Sequence, residues 1–174
     1  MASVISSQKL SRREVKDVFV LTAFGIHVWT ILAVLVDVPA WLLQMSVPEL
    51  AGAISYSLVY ALVETLLVAL GLIAVGFIIP ARLRKDNFLV WAILLFLWFF
   101  GLALALFNDP SLVFQKQALA RLFLLTFLPT AALFSVLNPV KRALAWLAET
   151  VAILVGGYLA MDLIALAIVI IRNI

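Results

Sequence analysis

Residues 54–86 read ISYSLVYALVETLLVALGLIAVGFIIPARLRKD, and this stretch decides the fold. Between Ile54 and Ile79 the only formally charged residue is Glu64; Arg82, Arg84 and Lys85 then follow in quick succession. A helix needs about 20 mostly apolar residues to cross the hydrocarbon of a bilayer. Lys and Arg collect at the cytoplasmic end of such helices. The stretch therefore signals both a crossing and the side on which it ends.

The same alternation recurs in both directions along the chain. Apolar runs at 18–36, 54–79, 88–107, 118–137 and 143–171 predict an all-α, polytopic membrane protein, a bundle of five transmembrane helices. With the N-terminus inside, the cytoplasmic segments hold Lys9, Arg12, Arg13, Lys16, Arg82, Arg84, Lys85, Lys141 and Arg142. The outer segments then hold only Lys116, Arg121 and Arg172. This asymmetry predicts a cytoplasmic N-terminus and an outer C-terminus. The basic start precedes an apolar run too long for a signal-peptide core, so the first span is read as uncleaved.

Composition agrees. Of 174 residues, 67% are hydrophobic and 12% charged, with mean hydropathy +1.24. Soluble domains carry about 25% charged residues. The absence of cysteine excludes disulfides and thiolate chemistry, and a single histidine, His27, excludes a multi-histidine metal site built from this chain alone. No cofactor or metal is expected. No linker or low-complexity tract divides the chain, so 1–174 is read as one membrane domain. The compact, loop-poor build points to a prokaryotic cytoplasmic membrane.

Helix ends carry capping signals. Ser11-Arg12-Arg13-Glu14 and Ser46-Val47-Pro48-Glu49 fit capping boxes, in which Ser and Glu satisfy free N–H groups. Asp109-Pro110 and Asn138-Pro139 place a capping side chain before a proline that a first turn tolerates. The outer segment 37–53 is poor in basic residues and keeps Trp41, Leu42, Leu43 and Met45 between Pro39 and Pro48. It reads equally as an interfacial turn of amphipathic helix or as a loop packed on the bundle.

Ionisable residues inside the apolar runs carry the functional question. His27, Glu64 and Asp162 each lie about 15 Å from the outer end of their helix, near the midplane, at 1.5 Å per residue. Tyr60 precedes Glu64 by four residues and Tyr158 precedes Asp162 by four, which puts each phenol on the face of its acid. A set of His27, Glu64, Asp162, Tyr60 and Tyr158 can hold a proton or bind an ion. The reading ranked above this one is that the same residues hydrogen-bond helices together and carry no function, and a third is that they face a partner protein. Glu149, close to Lys141 and Arg142, reads as an interfacial ion pair.

Three further features bear on packing. Pro129 frees the carbonyl of Leu125, which Thr126 and Thr130 are placed to cover. Ala148, Ala152, Gly156 and Ala160 form a small-residue stripe, read as a seam for a neighbouring helix. The third span, with Trp91, Phe96, Trp98, Phe99 and Phe100, reads by default as facing lipid, with a partner or a lipophilic ligand as the alternative.

No G-x-S-x-G, H-E-x-x-H, P-loop or G-x-G-x-x-G motif occurs, so no catalytic residue is assigned and an intramembrane enzyme ranks last. Without a basic soluble domain, nucleic-acid binding has no support. A non-catalytic accessory or anchoring subunit of a larger membrane complex ranks first. The alternative is a small proton- or ion-linked transporter or channel built on the midplane residues. The expected partners are the lipid bilayer and either another membrane protein or further copies of this chain; the transporter reading favours the copies, because five spans contain no inverted repeat.

Overall fold

A computed structural model describes residues 10–79 and 87–174, the side chains of Val113 and Lys116 excepted. Lys9, Pro80, Arg82, Arg84 and Lys85 lie outside the described residues. The chain forms α1 (Arg12–Gln44), α2 (Val47–Ile78), α3 (Phe88–Asn108), a short 3-10 helix (Pro110–Phe114), α4 (Lys116–Val136) and α5 (Asn138–Asn173). Among the described residues, five helices are long and apolar enough to cross a membrane. At 33, 32 and 36 residues, α1, α2 and α5 exceed the hydrocarbon thickness.

Residues 37–53 consist of the last turns of α1, a break at Met45 and Ser46, and the first turns of α2. The helix continues through Pro39, which forgoes one backbone hydrogen bond on an exposed surface. The break is set by Ser46. Its N–H donates to Glu49 Oε2 at 2.8 Å and its hydroxyl donates to the same oxygen at 2.7 Å. The box at α1 is reciprocal, with Ser11 N–H on Glu14 Oε2 at 2.8 Å and Glu14 N–H on Ser11 Oγ at 3.1 Å. Asp109 caps the 3-10 turn by accepting from the N–H of Ser111 at 3.0 Å. The start of α5 differs from the sequence expectation. Val140 N–H and Lys141 N–H both donate to the carbonyl of Leu137, so Leu137 rather than Asn138 occupies the cap position.

Clustering of contacts divides the chain into two compact units, one of residues 1–18 and 71–147, the other of 19–70 and 148–174. In the first, α3 packs on α4 through Trp91 and Trp98, while Phe99 stays exposed. Trp98 meets Phe123 edge-on at 4.6 Å, Phe123 stacks on Phe127 at 4.8 Å, and Trp91 Nε1–H donates to Ser135 Oγ at 2.8 Å. Edge-to-face rings and an indole donor reward a specific neighbour, which lipid tails cannot supply. An apolar cavity of about 220 Å³ opens beside Leu72, Phe88, Trp91 and Phe127. Around Pro129 the hydroxyls cover other carbonyls than Leu125. Thr126 donates to Leu122 and Thr130 to Thr126, the ordinary four-residue reach of a helical threonine.

In the second unit the small-residue seam of α5 is displaced. The buried line on α5 is Ala148, Val151, Val155, Asp162 and Ala165. Gly156 and Ala160 are exposed, and a Cβ on Gly156 would meet nothing. Residues spaced strictly four apart advance 40° around the helix at each step, whereas alternating steps of three and four hold one face. The stripe that begins inside at Ala148 has therefore rotated out by Ala160.

Candidate functional site

The second unit holds a buried polar centre. His27 on α1 and Asp162 on α5 are both 0% exposed, and Nε2 lies 2.9 Å from Asp162 Oδ2. The other ring nitrogen, Nδ1, lies 2.8 Å from the carbonyl of Ala23, one turn earlier on α1. Tyr158 covers the ring, its plane 3° from that of the imidazole and the centroids 5.2 Å apart. Local structure explains each placement. Ala23 and His27 share a helix face through their four-residue spacing, as do Tyr158 and Asp162. Long side chains on a helix lean toward its N-terminus, which brings Nδ1 back to the preceding turn.

The backbone carbonyl assigns the protons. A carbonyl only accepts, so Nδ1 carries a hydrogen and donates it to Ala23. Between Nε2 and Oδ2 there is then one further hydrogen. Either a neutral imidazole accepts from a protonated carboxyl, or an imidazolium donates to a carboxylate. Both arrangements carry no net charge and contain the same proton. In either one Oδ1 can only accept, and it has no hydrogen-bond partner.

The remaining candidates lie elsewhere. Tyr60 is 69% exposed and Glu64 is exposed, so neither joins His27 and Asp162. The next residue along α2, Thr65, is fully buried and its hydroxyl is unpaired. Sequence reasoning passed over Thr65, yet a signal for it existed. Ser55, Leu58, Ala61, Thr65, Ala69, Leu72 and Gly76 are spaced by threes and fours and are mostly small, and this is a face that α2 buries. Glu64, 100° away from Thr65, is carried outward. Glu149 is exposed and apart from the centre.

At the end of α5, Asn173 Nδ2 donates to Tyr56 Oη at 2.6 Å and Arg172 Nη1 donates to the carbonyl of Pro48 at 3.2 Å. These bonds tie the C-terminal turn of α5 to the first turns of α2. Among the described residues, no group of three or more His, Cys, Asp or Glu side chains is placed to hold a metal ion. No family model, curated protein or solved structure matches the chain.

Proposed function

We propose that this chain is a non-catalytic accessory subunit of a larger membrane complex, inserted with its N-terminus cytoplasmic and its C-terminus outside, in a prokaryotic cytoplasmic membrane. The observation that carries the reading is the outward position of Glu64 in the middle of a long apolar helix. A carboxyl group facing hydrocarbon at that depth is costly, and such groups ordinarily meet protein or water. A partner helix that supplies a hydrogen-bond donor or a cation removes the cost. The exposed small residues Gly156 and Ala160 support the same reading, because they let another backbone approach closely. A second copy fits Glu64 less well. Two-fold pairing about an axis along the membrane normal sets equal carboxyls at one level, and Tyr60 leans toward the helix N-terminus, away from them.

Gentle detergent extraction followed by mass measurement tests the proposal. A stable hetero-complex that Glu64→Leu disperses supports it; a monomer or homo-oligomer removes it. Topology has its own test. A cysteine in place of Asn173 must react from outside in right-side-out vesicles, and reaction from inside alone overturns the orientation.

The runner-up is a proton-linked transporter acting as a homo-oligomer, favoured by the one proton that His27 and Asp162 share. It requires proton uptake in reconstituted vesicles that Asp162→Asn abolishes without loss of folded yield.

A further inference from the structure

The cavity of about 220 Å³ in the first unit has walls of aliphatic and aromatic side chains. The last turns of α2 contribute Leu72 and Val75, the first turns of α3 contribute Phe88, Ala92 and Leu95, and α4 contributes Phe127. The walls are fixed by one another. Phe123 stacks on Phe127 at 4.8 Å, and Trp91 meets Phe127 edge-on at 6.0 Å. Phe88 rests on Gly76, where the missing side chain leaves room for the ring. Ala92 is the smallest residue of the lining and leaves space that a longer side chain would take.

The chemistry of the walls selects the occupant. A buried water needs 2–4 polar partners. The indole N–H of Trp91 is the one hydrogen-bonding group among the lining side chains, and it is spent on Ser135. The volume exceeds the roughly 150 Å³ that holds a benzene ring in a protein interior. It falls short of the roughly 300–1,000 Å³ of pockets for drug-sized ligands. A narrow apolar group fits both bounds. Half-buried Val75, Leu95 and Phe123 carry the lining to the surface, and Phe77, Leu97 and Leu124 stand exposed on the same three helices. Depth agrees. At 21 residues α3 is just long enough to span the hydrocarbon, so Phe88 marks one of its boundaries. From Phe88 to Leu95 the lining descends about 10 Å, at 1.5 Å per residue, within the hydrocarbon of a single leaflet.

We propose that this cavity takes a segment of one acyl chain from a membrane lipid, in the leaflet at which α2 ends and α3 begins. Acyl chains are the solvent there, so they meet the cavity at a far higher concentration than any dissolved lipophile. The preformed rings offer the chain close dispersion contacts on several sides and spare the cost of ordering the walls. The site goes beyond the subunit reading and does not depend on it.

Photolabelling tests the site. The full chain is reconstituted in vesicles of phosphatidylcholine, a fraction of which carries a diazirine midway along one acyl chain. After irradiation, the labelled residues are identified by fragment mass measurement. Leu72, Ala92 and Phe127 line the cavity, whereas Val90 and Ile93 are as deeply buried and do not. The expected result is label on the first three well above that on Val90 and Ile93. Ala92→Leu fills the space from α3 and Val75→Phe fills it from α2, and each is expected to remove the label from Leu72 and Phe127. Exposed Leu97 and Leu124 meet bulk lipid in every form, and their unchanged labelling verifies that the variants fold and insert. The comparison within the wild type stands without any variant. Label on Leu72, Ala92 and Phe127 no higher than on Val90 and Ile93 overturns the proposal, as does label that persists on Leu72 and Phe127 in a correctly inserted variant.

Discussion

The bond between His27 and Asp162 invites a double-mutant cycle of His27→Ala, Asp162→Ala and the pair together. Each single change also removes packing, and the cycle cancels that part. What remains is the interaction across 2.9 Å between two side chains with no exposed surface. Interhelical hydrogen bonds in membranes average about 0.6 kcal/mol and reach about 1.7, because the unfolded chain in the membrane also finds partners. This bond belongs at the upper end. Ala23 and Tyr158 hold the imidazole in place before Asp162 is met, so little freedom is lost on forming it. The expected coupling is about 1.5 kcal/mol, roughly a tenfold change in the folding equilibrium. Asp162→Asn supplies a control. Its amide donates to Nε2 of a neutral ring while Nδ1–H still serves Ala23, so it costs about 0.5 kcal/mol, whereas Asp162→Ala leaves Nε2 unpaired and costs about 2. Reversible unfolding in mixed micelles, followed by tryptophan fluorescence, measures the four forms of the cycle and the asparagine variant. A coupling below about 0.3 kcal/mol refutes the pairing as a stabilising bond, and an asparagine variant as unstable as the alanine variant refutes the proton assignment.

Three further outcomes follow from the structure. In Gly76→Ala the new Cβ meets the Phe88 ring, whose Cζ lies 2.8 Å from the Cβ position, so the ring must move; a loss of about 1–3 kcal/mol is expected in thermal unfolding. Ser11→Ala removes one half of a reciprocal box and is expected to cost about 1 kcal/mol, with faster amide exchange confined to the first turn of α1. The carboxyl of Glu49, which precedes the second span, is held below its usual 4.5 by the Ser46 N–H, then by the Ser46 hydroxyl. A lowered folded value means that its contribution is complete above the unfolded value and is lost as pH falls through the folded one. Amide protection at the start of α2, taken relative to the intrinsic exchange rate at each pH, should therefore fall below about pH 4.5 in the wild type and lose that dependence in Glu49→Gln.

Among the helix ends, the capping boxes at Ser11 and Ser46 were legible because their donors and acceptors lie within one turn of the same chain. Pairing between helices was less legible. The phenol and acid at Tyr158 and Asp162 share a local spacing with Tyr60 and Glu64, yet only the first pair meets His27. Four-residue spacing states that two side chains share a face and says nothing of where that face points. Similarly, the aromatic residues of α3 look alike on a hydropathy scale whether they meet lipid or Phe123.

By itself the sequence determined five long apolar helices and the asymmetry of charge between the segments that flank them. Those properties are sums over local composition, and the bilayer acts on each segment separately. The tertiary structure alone decided that Asp162 turns toward His27 while Glu64 turns away, and that Thr65 rather than its charged neighbour enters the interior. A rotation of 100° about α2 exchanges those two residues without altering its hydropathy. The rotation is chosen by the small residues from Ser55 to Gly76, which let other helices come near, and that choice exists only once the helices are packed.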